Sequence, residues 1–106
     1  MSREKGNFAE ERACSFLQDR GFKILDRNYH SRFGEIDIIA LHENVLHFVE
    51  VKSGDGEPAY RITPSKLSKI IKTAMIYMQK KNLDTDYCFD AVIVTEEIEF
   101  IGNITL

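Results

Sequence analysis

Three ionisable residues interrupt stretches that otherwise read as buried strand. Asp37 lies in Gly34-Glu35-Ile36-Asp37-Ile38-Ile39-Ala40, and Glu50 and Lys52 lie in Phe48-Val49-Glu50-Val51-Lys52. Between them, His42-Glu43-Asn44 has the composition of a tight turn, with Asn44 tolerating a left-handed backbone. A turn centred on Glu43-Asn44 sets His42 opposite Val45. Counting outward then sets Asp37 opposite Glu50 and Glu35 opposite Lys52. Cross-strand partners share a face, with β-carbons about 4.5–5.5 Å apart. Ile36, Ile38, Val49 and Val51 are expected on the other face, with Phe48 on the carboxylate side. Two facing carboxylates repel unless a cation stands between them. Mg²⁺ is a hard ion that takes oxygen ligands, commonly one or two carboxylates plus water and substrate phosphate. Asp37 and Glu50 are therefore candidate ligands for Mg²⁺ or Mn²⁺. Lys52 is the candidate to hold an attacking water or to balance phosphate charge. Plain surface salt bridges, worth under about 1 kcal/mol each, are the competing account. Either peptide alone is a weak signal; their superposition across one hairpin favours the metal site.

The elements around this hairpin are legible from periodicity and punctuation. Residues 2–20 read as a helix with Ala9, Ala13, Phe16 and Leu17 on one stripe, stopped by Gly21. Glu10 flanks that stripe. It is either a further acid reaching the site from the helix or a solvated glutamate favoured by the helix dipole. Phe22 to Tyr29 reads as a strand, and Tyr29 to Phe33 as a connection carrying His30 and Arg32. Arg32 is a candidate bidentate phosphate contact, set against ordinary solvation. The three histidines share no zinc-like spacing, and His42 and His47, on a turn and an exposed strand, are given no chemistry. Residues 53–58 have the composition of a flexible loop. Thr63 and Pro64 then cap and open a second helix, buried through Leu67, Ile70, Ile71, Ala74, Tyr77 and Met78, with Met75 and Met78 as core filler. Lys66 and Lys69, one turn apart on its other side, are candidates for backbone-phosphate contacts, though a solvated lysine face would look the same. Tyr87 to Thr95 and Ile98 to Ile104 read as two further strands joined by Glu96-Glu97. Asp90 is expected to bond a nearby backbone group.

The spacing of Asp37 and Glu50-Val51-Lys52 resembles the D…(D/E)-x-K signature of the restriction-endonuclease-like nuclease superfamily. Asn28, the 34–40 segment and Phe48-Val49-Glu50-Val51-Lys52 resemble the YraN-like uncharacterised bacterial family, often described as related to Holliday-junction resolvases. The likeness extends along nearly the whole chain. Gly6, Glu10 and Ala13 match the family's G-x-x-G-E-x-x-A helix, with Ala9 in place of the second glycine. Phe89-Asp90-Ala91-Val92 is similar to its R-F-D-V segment, with Cys88 where an arginine is usual, and Ser53 stands where an arginine commonly follows the E-V-K lysine. The resemblance implies an α/β fold, a three-layer α/β/α sandwich with a mixed central sheet in the order αβββαββ. It also implies a catalytic set of Asp37, Glu50 and Lys52 with Glu10 as an addition, a nucleic-acid partner, DNA in particular, and a homodimer.

Composition bounds these readings. The chain has 106 residues, 43% of them hydrophobic, which is enough for one core and one domain over 1–106. No apolar run spans a bilayer and no signal-peptide core follows the N-terminus, so a cytoplasmic protein without membrane contact is expected. Cys14 and Cys88 lack metal spacing and read as reduced, packed thiols. A net charge of −3 argues against a protein that coats nucleic acid, without excluding a nuclease whose acids are gathered at a metal. Two functions stay open. One is a Mg²⁺-dependent endonuclease hydrolysing phosphodiester bonds in DNA. The other is a catalytically silent module of the same fold that binds nucleic acid or a protein.

Overall fold

The computed structural model describes residues 2–54 and 62–105, with side chains from residue 8 onward. Of the expected flexible loop, residues 55–58 lie outside the described residues. Helix α1 (Ser2–Asp19) is followed by β1 (Lys23–His30), β2 (Glu35–His42) and β3 (Val45–Ser53). Helix α2 (Pro64–Lys81), β4 (Asp86–Val94) and β5 (Ile98–Ile101) complete the chain. Both helices end as their sequences demand. Gly21 takes φ +90°, and the Phe22 and Gly21 amides donate to the Leu17 and Gln18 carbonyls at 3.0 Å each. Asn82 takes the same left-handed role after α2, at φ 55°. At its start α2 is capped by Thr63, whose hydroxyl accepts from the Lys66 amide at 3.1 Å.

The strands form one sheet in the order β1-β2-β3-β4-β5. The pairings are antiparallel except β3 with β4, which run parallel because α2 carries the chain back across the sheet. Ala9, Ala13, Cys14 and Leu17 of α1 pack on Ile38, Ala40, Val49, Val92 and Val94. Ile70, Ala74, Tyr77 and Met78 of α2 pack on Ile36, Ile39, Leu46, Phe48 and Phe89. The sheet is thus sandwiched between the helices, an α/β fold with a mixed sheet in the order αβββαββ.

Two local expectations fail for steric reasons. Met75 is 36% exposed, because it falls one position off the stripe that buries Ala74 and Met78. The last strand ends at Ile101 rather than Ile104: Asn103 turns the backbone at φ 60°, and the Ile104 amide donates to the Phe89 carbonyl at 2.7 Å.

A third departure matters more. Ile36 does not share the face of Ile38; it packs on the α2 side with Ile39. Strict alternation breaks at Asp37. The β2–β3 ladder runs in the expected register from His42↔Val45 to Ile38↔Val49 and stops there. Asp37↔Glu50 and Glu35↔Lys52 are therefore not ladder pairs, and the two strands part just where the charged residues begin.

Candidate functional site

Asp37 takes over where the ladder stops. Its Oδ2 accepts the Val51 amide at 2.8 Å, a side chain standing in for the missing strand partner. Glu50 is buried on the α2 side, 4% exposed, and its Oε1 lies 3.5 Å from the Lys66 ammonium. The other oxygen, Oε2, is buried and has no hydrogen-bond partner among the described residues. An acceptor left bare in this way costs stability, so it calls for a partner. Lys52 points to the same face two residues on and is half-buried.

The electrostatics describe a crowded acidic pair. Burial pushes the Asp37 carboxyl up to about 6, against the Val51 hydrogen bond, with Glu10 and Glu35 adding repulsion. Burial pushes Glu50 up to about 7, with Asp37 adding repulsion and Lys66 and Lys52 opposing it. Asp37 feels Glu10 from the α1 side and Lys66 from the α2 side. It therefore sits close to the plane of the sheet, between the layers. Two carboxylates held in low dielectric, one with an orphaned oxygen, fit a hard divalent cation better than they fit each other.

Glu10 reaches this region from α1 and is only 9% exposed, so it is not a solvated surface acid. Asn28 donates to its Oε1 at 3.0 Å, and Arg27 approaches the same oxygen at 3.6 Å. Asn28 takes φ 53° and falls between the Arg27↔Ile38 and Tyr29↔Ile36 pairs, the same gap in the β1–β2 register that Asp37 occupies on β2. Its role as the holder of Glu10 is not legible in the sequence, since an asparagine's tolerance of a left-handed backbone does not say which side chain it meets.

On the other side a cleft of about 350 Å³ lies between the β1–β2 connection and the first turns of α2. Phe33, Gly34, Glu35, Thr63, Ser65, Lys66 and Lys69 line it. The connection is tied to α2 by the Ser31–Thr73 hydroxyl pair at 2.7 Å. Arg32 is exposed, and its guanidinium lies 4.9 Å over the ring of Phe33, one of the lining residues. Lys66, a candidate phosphate contact from its sequence position, folds its ammonium inward onto Glu50, with the side chain still 47% exposed.

His47 corrects the sequence reading outright. It was expected on an exposed strand without a partner, yet its side chain is 15% exposed and its Nδ1 lies 2.5 Å from Asp90 Oδ2 and 3.1 Å from Cys88 Sγ. The parallel register that sets His47 beside Cys88 depends on the crossover through α2, which no local spacing reveals. Asp90 also accepts a backbone amide, that of Asn103, at 2.9 Å, as expected for that acid.

Fold and site together define an α/β protein in which β2 and β3 part around a carboxylate pair, Glu50 buried and Asp37 half-buried, with lysines closing one side. A family profile, the uncharacterised protein family UPF0102, matches residues 9–94, and the chain belongs to that family. This is the YraN-like family that the motifs resemble. A UPF0102 protein of Wolinella succinogenes is 58% identical over the full length of both chains. One from Sulfurimonas denitrificans is 59% identical, again over the full length of both. One from Helicobacter pylori strain P12 is 55% identical over 97% of this chain and 92% of its own. No helix among the described residues is long and apolar enough to cross a membrane.

Proposed function

We propose that this protein is a metal-dependent endonuclease that hydrolyses phosphodiester bonds in DNA, with branched or repair intermediates as its substrate class. The observation that carries the reading is the bare Oε2 of Glu50, buried beside the Asp37 carboxylate where β2 and β3 part. Asp37 and Glu50 are the residues that would hold Mg²⁺ or Mn²⁺. Such an ion supplies charge neutralisation and Lewis acidity toward a phosphate oxygen. Lys52, on the same face, orients the attacking water. Glu10, fixed by Asn28, adds negative potential next to Asp37 and so strengthens its hold on a cation. Lys66, Lys69 and Arg32 line or rim the cleft and neutralise the phosphate backbone. The α2 N-terminus opens into the same cleft, adding oriented amides to that side. A homodimer and a cytoplasmic location fit this reading.

A second reading draws on the Lys66–Glu50 ion pair. An ammonium already at one oxygen partly compensates the carboxylate, as expected of a silent module that binds nucleic acid or a protein without turnover. Calorimetric titration with Mn²⁺ separates the two when combined with cleavage assays on branched, nicked and linear DNA. The nuclease reading requires saturable Mn²⁺ binding that Asp37→Asn abolishes, and cleavage that Lys52→Ala abolishes. Equal weak binding by wild type and Asp37→Asn removes the site. Specific metal binding without cleavage of any form favours the silent module.

A further inference from the structure

On the opposite face of the sheet from Glu50, His47, Cys88 and Asp90 bring an imidazole nitrogen, a thiol and a carboxylate together. All three donor atoms lie within 4.8 Å of one another, the one such group among the described residues. We infer that this cluster is a second metal site, selective for a borderline ion of the Zn²⁺ class and separate from the oxygen-lined carboxylate pair. The donor set is mixed N, S and O, which suits Zn²⁺ and not Mg²⁺. His47 and Cys88 are direct neighbours across the parallel β3–β4 ladder, and Asp90 follows two residues on along the same face. The ligands therefore sit on rigid, hydrogen-bonded strands rather than on loops.

The geometry needs one adjustment. In a tetrahedron built on ordinary zinc bond lengths, ligand atoms stand about 3.3–3.6 Å apart. Cys88 Sγ and Asp90 Oδ2 are already 3.6 Å apart. The two shorter edges, 2.5 Å to Asp90 and 3.1 Å to Cys88, both share Nδ1 of His47. A single outward swing of that ring, by less than about 1 Å, corrects both. The ring is 15% exposed and meets the Phe22 ring edge-on at 4.8 Å, so the swing is a slide along that ring, while Asp90 is clamped from behind by the Asn103 amide. The thiol lies nearer the nitrogen that Asp90 holds, at 3.1 Å, than the other ring nitrogen, at 4.0 Å, whereas a nucleophilic relay sets thiol and carboxylate on opposite ring nitrogens. The chain supplies these three ligands, leaving the fourth position to water from the exposed side. A bound ion would tie β3, β4 and the segment after β5 together.

Co²⁺ reports directly on thiolate ligation. Titrating the metal-free protein with Co²⁺ should develop a thiolate-to-cobalt charge-transfer band at one equivalent, and Zn²⁺ should displace it. Cys88→Ser and His47→Ala should abolish the band and weaken Zn²⁺ binding by more than about tenfold. Asp37→Asn and Cys14→Ala should leave it intact. Far-ultraviolet circular dichroism of each variant confirms that it is folded, and Cys88→Ser, the mildest change, keeps the test valid if His47→Ala is not. A band that survives Cys88→Ser, or is lost in Cys14→Ala, overturns the assignment, as does the absence of any band in the wild type.

Discussion

At the scale of single residues the protein stores unfavourable electrostatics in one place. Asp37 and Glu50 have carboxyls pushed up to about 6 and about 7, by burial first and then by neighbouring acids: Glu10 and Glu35 for Asp37, and Asp37 for Glu50. Between roughly pH 4.5 and 7 the folded chain keeps protons that the unfolded chain has released, so folding weakens as pH rises through that window. Thermal unfolding without divalent ions should therefore give a lower Tm at about pH 8 than at about pH 5. Asp37→Asn keeps an oxygen for the Val51 amide and loses the charge, so its profile should be flatter. A divalent ion competes with those same protons. Mn²⁺ should raise the wild-type Tm above about pH 7, lose that effect below about pH 6, and do nothing for Asp37→Asn. An identical Tm–pH profile in wild type and variant would refute this account of the pair. Lys66 is the cation already at hand. Lys66→Met should lower stability at alkaline pH, because it strips Glu50 of its partner, and should tighten Mn²⁺ binding, because it removes a competitor. Calorimetry on the variant checks both signs.

At the scale of elements, helix ends and helix faces carry the fold. Leu17 is fully buried between α1 and the sheet, and Leu17→Ala should cost about 2–5 kcal/mol in chemical denaturation. Gly21 holds a φ of +90° at the close of α1, so Gly21→Ala should cost roughly 1 kcal/mol with no loss of side-chain contact. A larger loss at Gly21 than at Leu17 would mean that packing of α1 is not what anchors it. Tyr77 links α2 to β1 by donating to Asp26 Oδ2 at 2.7 Å. Its removal in Tyr77→Phe should cost about 1.5–3 kcal/mol, the range for hydrogen bonds to charged groups. These elements were readable because their signals are local: a glycine after an apolar stripe, a threonine before a proline, β-branched runs around a turn. Element ends were less so. The last strand stops three residues early because Asn103 adopts a left-handed backbone that its neighbours do not announce.

At the scale of the whole molecule, a net charge of −3 coexists with a cleft lined by Lys66 and Lys69, with Arg32 over its Phe33 wall and Lys52 acting on Glu50. If these four groups meet the backbone, the slope of log K against log salt on duplex DNA should be about −3 to −4. A slope near zero would remove the cleft as the contact surface. The one-dimensional chain was sufficient for the element order, the two helical faces, the hairpin register from His42↔Val45 inward, and the residue types of the carboxylate pair. Those follow from periodicity and turn chemistry, which act over a few neighbours. Three things needed the folded chain. The ladder ends at Ile38↔Val49, leaving Asp37 in the gap between strands rather than face to face with Glu50. Asn28 and Lys66 converge on the acids from β1 and α2. His47 meets Cys88 and Asp90 across a parallel pairing set by a helix-long crossover. Each of these joins residues far apart in the chain, where strand twist, crossover length and packing decide the meeting, and a linear string of residues holds no record of such distances.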